Sequence, residues 1–314
     1  MKFIDFKSIA NLNISPSLCV EWVKEVFIHK GETILPPKIS IKMPENIFFN
    51  TMPAYLPHEK KFGVKVVSRY PKRIPSLQSD IMLYDSTNGE LLSIMDGLWI
   101  TTMRTGAVAA LTIKYLRKKN TQTYGFIGLG NTARASLSCL ISQLPNEEII
   151  VNLLEYKDQA ELFIERFRSV SNIKFKKYSS CEKLIEDSDV VVSCVTAADT
   201  LFARDEVYQK GVLVVPVHTR GFQNCDLFFD KIFADDTKHI CDFKYFSQFK
   251  NFDEFPNVIT GNNLGRTSEN ERILCYNIGI ALHDVYFASK LFNIIDTTIP
   301  EYLTGMHTLK KFWV

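Results

Sequence analysis

A glycine-rich turn carries the most direct chemical signal in the sequence. Residues 128–133 read Gly-Leu-Gly-Asn-Thr-Ala and match the pattern G-x-G-x-x-A. The turn follows a short apolar run and precedes apolar residues at helical spacing, so it closes a strand and opens a helix. The first glycine permits a tight turn, the second lets a pyrophosphate approach the backbone, and the alanine lets the helix pack on the sheet. Because N–H groups at a helix start bind phosphates, we predict a dinucleotide site formed by Gly128, Gly130, Asn131, Thr132 and Ala133.

An acidic residue, Glu155, stands at the end of the next predicted strand, residues 149–154. A carboxylate in this position accepts hydrogen bonds from a ribose 2′-hydroxyl and repels a 2′-phosphate, so it favours NAD over NADP. Lys157 lies just beyond it. NADP remains an alternative if this lysine turns inward towards a 2′-phosphate, although a solvated lysine at a helix start is the simpler interpretation.

The elements that hold this turn alternate between strand and helix. From about residue 118 onward, apolar strand-like runs and runs with helical spacing follow one another, at 124–128, 137–144, 149–154, 158–168, 189–195 and 212–217. Strands that alternate with helices in this way predict a Rossmann-type doubly wound parallel sheet.

The first part of the chain has a different pattern. Ser15-Pro16, an apolar stripe at i, i+4 spacing and Gly31 predict a capped helix. Strand-like runs follow at 64–70, 81–84 and 91–95, with a hairpin turn at 85–89 and a helix over 105–119. The predicted fold class is therefore α/β, a doubly wound parallel-sheet domain joined to an α+β domain with an antiparallel or mixed sheet.

Composition excludes several classes of protein. A length of 314 residues suits two domains, and 46% hydrophobic with 23% charged residues is typical of folded proteins. A net charge of +2 is too small for an electrostatic nucleic-acid binder. Charged residues interrupt the first seven positions, and no run approaches the roughly 18 apolar residues of a membrane span. We expect no nucleic-acid partner, no membrane segment and a cytoplasmic protein.

The seven cysteines are odd in number and widely spread along the chain. None forms a C-x-x-C pair, and no Cys/His group has zinc-finger spacing, so we expect no metal site. We interpret all seven as buried thiols in a reducing compartment.

Several short segments occur in an order that is far more specific than any one of them. In chain order they begin at Leu35-Pro-Pro-Lys38, Met52-Pro-Ala-Tyr55, Gly63-Val-Lys65, Tyr84-Asp-Ser-Thr-Asn-Gly89, Met95-Asp-Gly97, Thr102-Met-Arg104-Thr-Gly-Ala107 and Gly279-Ile-Ala-Leu-His-Asp284. Together with the turn at Gly128, this series resembles the ornithine cyclodeaminase/mu-crystallin family over nearly the whole chain.

The resemblance implies a homodimer with two domains. Residues 1–117 with 285–314 correspond to a substrate-binding and dimerisation domain, and residues 118–284 to a Rossmann domain that holds NAD or NADP. Members of the family catalyse ornithine cyclodeamination, alanine dehydrogenation or ketimine reduction. All of these transfer a hydride at the carbon that bears nitrogen and carboxylate.

The resemblance also implies roles for individual residues. Lys65 and Arg104 correspond to the catalytic lysine and arginine. The planar fork of Arg104 suits a substrate carboxylate, and Lys65, crowded by another cation and partly desolvated, would have a lowered pKa and exchange a proton with the substrate nitrogen. Thr105 is expected to open a helix and contact the cofactor. Further expected contacts are Lys38, Met52, Thr219 and Arg220 for substrate, and Thr196 and His218 for cofactor.

Two departures from the family pattern bear on the substrate. Lys38 replaces an arginine that family members often carry, and offers a point charge without a bidentate fork. Thr219 or Arg220, depending on a one-residue gap, replaces the aspartate that orients the second amine in a cyclodeaminase. The resemblance at this point is closer to mu-crystallin-like ketimine reductases.

We therefore expect an NAD(P)-dependent oxidoreductase that transfers a hydride to or from the α-carbon of an imino or amino acid. Two alternatives stay open. One is ornithine cyclodeamination, which makes proline and ammonia without net consumption of cofactor. The other is a protein that binds nucleotide and a small ligand with little turnover.

Overall fold

The computed structural model describes residues 1–195, 201–217 and 225–295. Its helices and strands form two sheets and their covering layers. The strands are β1 Lys2–Ile4, β2 Ile39–Met43, β3 Ile47–Leu56, β4 Lys61–Arg69, β5 Leu77–Asp85, β6 Leu91–Asp96, β7 Thr123–Ile127, β8 Ile149–Leu154, β9 Ile173–Tyr178, β10 Val190–Ser193, β11 Leu213–Pro216, β12 Lys231–Ala234, β13 Asp253–Glu254 and β14 Ile273–Tyr276. The α-helices are α1 Phe6–Asn11, α2 Pro16–Ile28, α3 Leu98–Leu116, α4 Asn131–Gln143, α5 Gln159–Arg166, α6 Cys181–Glu186, α7 Phe255–Ile259 and α8 Ala281–Ile294.

The chain divides into two compact units. The first contains residues 1–13, 32–100 and the chain from Asp284 onward, and the second contains residues 14–31 and 101–283. The second unit thus includes residues 14–31 and 101–117, which the sequence analysis assigned to the first domain. The substrate-binding and dimerisation role of the first domain stays a prediction.

A six-stranded sheet organises the first unit, in the order β1-β6-β5-β4-β3-β2. Strand β1 is parallel to β6, and the remaining pairs are antiparallel. Residues on β4 and β5 alternate between buried and more exposed positions, as expected for strands with one face packed on a core. The sequence prediction of a mixed sheet is confirmed for this unit.

An eight-stranded parallel sheet organises the second unit, in the order β13-β12-β14-β11-β10-β7-β8-β9. The chain runs outward from β7 through β8 to β9, and then returns to place β10 on the other side of β7. This reversal is the switch point of a doubly wound sheet, where the carboxyl ends of the strands leave a crevice for ligands. The predicted doubly wound fold is confirmed.

Three details differ from the sequence predictions. Helix α3 begins at Leu98, not near Thr105, because the Asp96 carboxylate accepts a hydrogen bond from the Leu98 N–H at 2.8 Å and caps the chain there. Cys241 is exposed, so the expectation that every cysteine is buried was wrong. Seven strands were not predicted, namely β1, β2, β3, β9, β12, β13 and β14. In edge strands β2 and β9 the exposed positions weaken the apolar pattern. In the described ranges, no helix has the length and apolarity that a membrane crossing requires.

Candidate active site

The glycine turn lies at the switch point of the parallel sheet, directly after β7. Gly128 has φ of +81°, a left-handed conformation that glycine adopts without strain. A Cβ there would come within 3.0 Å of the backbone of Cys194 and Val195, which follow β10. Gly130 is the N-cap residue of α4, with no side-chain cap, and a Cβ built on it would meet open space. The first N–H groups of α4 are therefore available to an anion.

Glu155 directly follows β8, as the sequence analysis predicted, and it has a cationic neighbour. The Lys177 ammonium lies 3.4 Å from the Glu155 carboxylate, with both side chains half-exposed. Hydrogen bonds to Glu161 and to Glu155 raise the pKa of Lys177. Lys157 has φ of +53° and places its Nζ 5.4 Å from the centre of the Tyr156 ring. Lys177, which was not among the predicted site residues, is thus a lysine that contacts Glu155.

Lys65 lies in the middle of β4 and is 1% exposed. Its neighbours across the sheet are Met52 on β3 and Ile81 on β5, which are also buried. Its Nζ donates a hydrogen bond to Oδ1 of Asp284 on α8, at 3.0 Å, and Asp284 is 0% exposed. Burial favours the neutral amine, whereas the carboxylate favours the charged ammonium. A second cation was expected to lower the pKa of Lys65, but the Asp284 carboxylate that it contacts in this unit is an anion.

The close packing of α8 on the sheet explains how Asp284 reaches Lys65. Gly63 is two residues before Lys65 and faces the same side of β4. A Cβ at Gly63 would come 3.0 Å from a methyl group of Val285 and 2.8 Å from the Met82 carbonyl oxygen. The absence of a side chain at Gly63 therefore lets Val285, and with it Asp284, approach the strand.

Arg104 lies on α3 and is 6% exposed. Its guanidinium passes beside Gly279, where an added Cβ would fall 2.5 Å from Nη1. Gly279 has φ of +81°, and its N–H donates to Oδ2 of the fully buried Asp235 at 3.0 Å. The amide of Asn277 donates to the other carboxylate oxygen of Asp235 at 3.2 Å. The arginine fork thus lies against the glycine backbone, which is itself held by the buried carboxylate.

Burial and hydrogen bonding act in opposite directions on Asp235. Burial raises the pKa of this carboxyl to about 6, although the Gly279 N–H, the Arg104 charge and the Asn277 amide each lower it. His283 is also fully buried, and burial with the positive charges of Arg104 and Lys30 holds its pKa well below the usual range. The His283 ring meets the Phe27 ring edge-on, with centroids 4.5 Å apart. At neutral pH this histidine is therefore an uncharged group.

The remaining predicted site residues have mixed outcomes. Lys38 is half-buried immediately before β2, and Met52 is buried opposite Lys65. Thr105 is inside α3, where its hydroxyl donates to the Thr101 carbonyl oxygen at 2.7 Å, so its backbone is not at a helix start as expected. Four predicted residues lie outside the described part of the chain, namely Thr196, His218, Thr219 and Arg220.

The sequence analysis missed the roles of three acids and bases close to the predicted residues. Asp284 stands in a quoted segment but had no role, and Asp235 and Lys177 were not considered. A buried run that ends in consecutive aspartates, residues 231–236, was the available signal for Asp235. For Asp284 the signal was the single acidic residue of α8, in its first turn.

Comparison with known proteins agrees with this architecture. The nodulation efficiency protein NfeD of Rhizobium meliloti is 28% identical over 310 residues, which cover 94% of this chain and 96% of that protein. A Δ1-pyrroline-2-carboxylate reductase of Bacillus cereus is 27% identical over 263 residues, covering 77% and 79% of the two chains. The structure of Thermococcus litoralis Δ1-pyrroline-2-carboxylate reductase in complex with NADH and L-proline superposes with a TM-score of 0.83 at 24% identity, over 93% and 97% of the chains.

The family assignment follows from a match over most of the chain. Residues 8–297 match the profile of the ornithine cyclodeaminase/mu-crystallin family. This range includes the glycine turn, Lys65, Arg104 and Asp284. The protein belongs to the ornithine cyclodeaminase/mu-crystallin family.

Proposed function

We propose that this protein is an NAD(P)-dependent oxidoreductase that reduces an imino acid, with a cyclic imine bearing a carboxylate as the first substrate to test. The observation that carries the proposal is the environment of Lys65. This lysine is buried in the sheet, and its Nζ donates a hydrogen bond to Oδ1 of the buried Asp284 at 3.0 Å. A buried amine of this kind is suited to proton exchange with a substrate nitrogen. The two relatives named as pyrroline-2-carboxylate reductases support the choice of substrate.

The residues of the glycine turn fit a dinucleotide. Gly130 leaves open space, and the uncapped start of α4 offers N–H groups to a pyrophosphate. The nicotinamide nucleotide, when bound, supplies the hydride. Glu155 favours a free ribose 2′-hydroxyl, and we propose NAD as the main cofactor. Lys177 lies beside Glu155, and its positive charge would attract the 2′-phosphate of NADP. NADP is therefore the second cofactor to test.

The chain's own residues have separate tasks in this reaction. Arg104 holds the substrate carboxylate through its planar fork, and Lys38 and Met52 complete the substrate contacts. Lys65 donates a proton to the imine nitrogen while the adjacent carbon accepts the hydride, so that the product is an amino acid with a neutral amine and an ionised carboxylate. Thr105, Thr196 and His218 are proposed cofactor contacts, and Thr219 and Arg220 substrate contacts.

The test is the loss of NADH absorbance with Δ1-pyrroline-2-carboxylate, and with NADPH in a parallel series. Reduction of the imine that is abolished by Lys65→Met supports the proposal. Lys61→Met is the matched control, because Lys61 is on the same face of β4 but half-exposed. L-Ornithine and NAD are tested in parallel. Proline and ammonia without net NADH would establish cyclodeamination instead, and nucleotide binding without any turnover would establish a binding protein.

We also propose a homodimer formed through the first unit. Edge strand β2 presents Ile39 and Ile41, which are 67% and 57% exposed, on one face. Exposed apolar edge strands are typical of association sites. Light scattering during size-exclusion chromatography tests this, with Ile41→Asp expected to give monomers and Ser40→Asp, on the opposite face, expected to leave the dimer intact.

A cytoplasmic location is the last part of the proposal. Six cysteines whose side chains the structure describes are free thiols. Burial raises the pKa of Cys19 and Cys181 to about 12. Free thiols are typical of a reducing compartment. Fractionation of cells that express the native chain tests this location.

A further inference from the structure

The acid that pairs with Lys65 is the feature that the reaction described above does not explain. Asp284 is 0% exposed, and its Oδ1 accepts the hydrogen bond from Lys65 Nζ at 3.0 Å. Transfer of a single charge into the protein interior is strongly unfavourable unless an opposite charge accompanies it. The buried carboxylate therefore supplies a reason for a fully buried lysine to keep its proton.

Packing around the strand also restricts the direction of the Lys65 side chain. Met52 and Ile81 flank Lys65 along the sheet and are buried, so they restrict the lysine stem to the side on which α8 lies. Gly63 brings Val285 against the strand, and this contact places the preceding residue, Asp284, over the ammonium. The side chain of Lys65 thus has a restricted stem and a fixed partner.

Other titratable groups on the surrounding elements are more distant along the strands or face the other side. By strand alternation and register, the groups on the same face as Lys65 include Lys61, Arg69 and Asp85, two or more ladder positions away. Lys2 on β1 and Lys42 on β2 also lie on this face, and each is at least two strands and two ladder positions from Lys65. Asp80 and Tyr84 on β5 and Tyr55 on β3 face the opposite side. On α8, His283 has a pKa well below its usual range, and Lys290 pairs with Glu59 at 3.2 Å. Tyr286 completes the titratable groups of that helix.

We propose that Asp284 is a positioning residue that keeps Lys65 protonated and directs its N–H towards the imine nitrogen. This inference depends on the proposed function, since it assigns Lys65 as the proton donor. During reduction, an N–H bond of Lys65 breaks and a new N–H bond forms on the substrate, while the hydride forms the C–H bond. Lys65 is left as a neutral amine and regains a proton from water. Asp284 transfers no proton in this step.

The kinetic experiment compares Asp284→Asn with the native protein across pH 6 to 10, using NADH and Δ1-pyrroline-2-carboxylate. Removal of the carboxylate favours the neutral lysine, so the pH at which kcat declines on the alkaline side should fall by about one unit or more. At pH 7.5 we expect kcat to fall roughly 10- to 100-fold, with KM changed less than about threefold. Asp284→Glu keeps the charge and should recover part of the native kcat and the native pH profile.

Glu59→Gln is the matched control, because it removes the other ion pair that α8 makes with this unit. It should leave the pH profile unchanged even if it lowers the melting temperature. A profile for Asp284→Asn that superposes on the native one would overturn the proposal. So would an equal shift in Glu59→Gln, since the effect would then be one of general stability.

A second measurement separates this inference from the proposed function and does not need turnover. Lysine labelled with 13C at Cε gives an NMR signal for each lysine, and the signal of Lys65 is the one missing in Lys65→Met. Its titration midpoint should fall by about one unit in Asp284→Asn and not in Glu59→Gln. If the native protein reduces no imine, the proposed function fails, and this titration still decides whether Asp284 controls the charge of Lys65. An unchanged midpoint in a folded Asp284→Asn variant would contradict the inference.

Discussion

The two proposed catalytic cations are held in different ways, Lys65 in the first unit and Arg104 in the second. Lys65 is joined to a buried carboxylate directly, at 3.0 Å. The acid near Arg104, Asp235, is shared with the Gly279 N–H and the Asn277 amide, at 3.0 and 3.2 Å. An arginine keeps its charge in any protein environment, whereas a buried lysine loses its proton readily. The lysine therefore needs a neighbouring acid that favours its protonated form. The arginine needs surroundings that fix the orientation of its planar guanidinium. This difference matches a proton donor in one case and a carboxylate anchor in the other.

The largest effect is expected for Lys65→Met, because it removes the proton donor. We expect kcat to fall by about 10² to 10⁴, the usual contribution of a general acid, with a small change in KM. The variant also breaks the buried ion pair between Lys65 and Asp284, which costs roughly 3–5 kcal/mol of unfolding free energy. The double variant Lys65→Met/Asp284→Asn should recover stability in urea unfolding but not activity. Recovery of activity in the double variant would show that Lys65 is only structural.

Gly279→Ala is expected to have the next largest effect, and on the other cation. A methyl group 2.5 Å from Arg104 Nη1 must displace the guanidinium, so KM for the imine should rise roughly 10- to 100-fold with a smaller change in kcat. Gly261→Ala is the matched control, since Gly261 has a similar φ of +78° and open space around an added Cβ. Both variants carry a left-handed alanine, which costs about 1–2 kcal/mol. Equal kinetic effects in the two variants would show that Gly279 does not position Arg104 for substrate binding.

A smaller effect is expected for Arg104→Lys, which keeps the charge and removes the planar fork. Loss of one charge-assisted hydrogen bond costs about 1.5 kcal/mol at the lower end of its range, so KM should rise about tenfold, while the pH profile stays as in the native protein. Steady-state kinetics across pH test both parts. A shift of the pH profile in this variant, of the size expected for Asp284→Asn, would erase the proposed difference between the two cations.

Asp226→Asn should leave kinetics unchanged and alter stability. Asp226 is 1% exposed and accepts a hydrogen bond from the Tyr276 hydroxyl at 2.6 Å, and burial raises its pKa to about 7. A carboxyl whose pKa is higher in the folded than in the unfolded chain makes folding less favourable as pH rises from about 4 to 7. We expect the variant to match the native protein near pH 4.5 and to be about 1–3 kcal/mol more stable at pH 8. Urea unfolding at the two pH values measures this, and an equal difference at both would contradict it.

The local elements could be predicted because their signals lie close together in sequence. Helix α2 begins after Ser15, whose side chain accepts a hydrogen bond from Leu18 N–H, and its first residue is Pro16, as the sequence pattern predicted. Strand β8 has the predicted bounds, and the glycine turn occupies the predicted place at the end of β7. In these cases capping, periodicity and turn chemistry agree with the tertiary fold.

The partners of the site residues could not be predicted in the same way. Lys65 and Asp284 are 219 positions apart, and only the packing of α8 on β4 brings them together. The start of α3 was missed because Leu98 and the apolar residues after it resemble a continuation of the preceding strand. The capping acid Asp96 was the local signal for that start. Charges paired through tertiary packing leave no spacing rule in the chain.

The approach of α8 at Gly63 links positions that are far apart in the gene. Any side chain at position 63 would meet Val285 and the Met82 carbonyl, and it would move the aspartate away from the lysine before either charged residue had changed. Substitution of Gly63 is thus restrained by the ion pair that Lys65, two residues further on, forms with Asp284. In a lineage that keeps the pair, positions 63, 65, 284 and 285 should evolve as one group, and glycine should be retained at 63 because a smaller residue at 285 would not relieve the contact with the Met82 carbonyl.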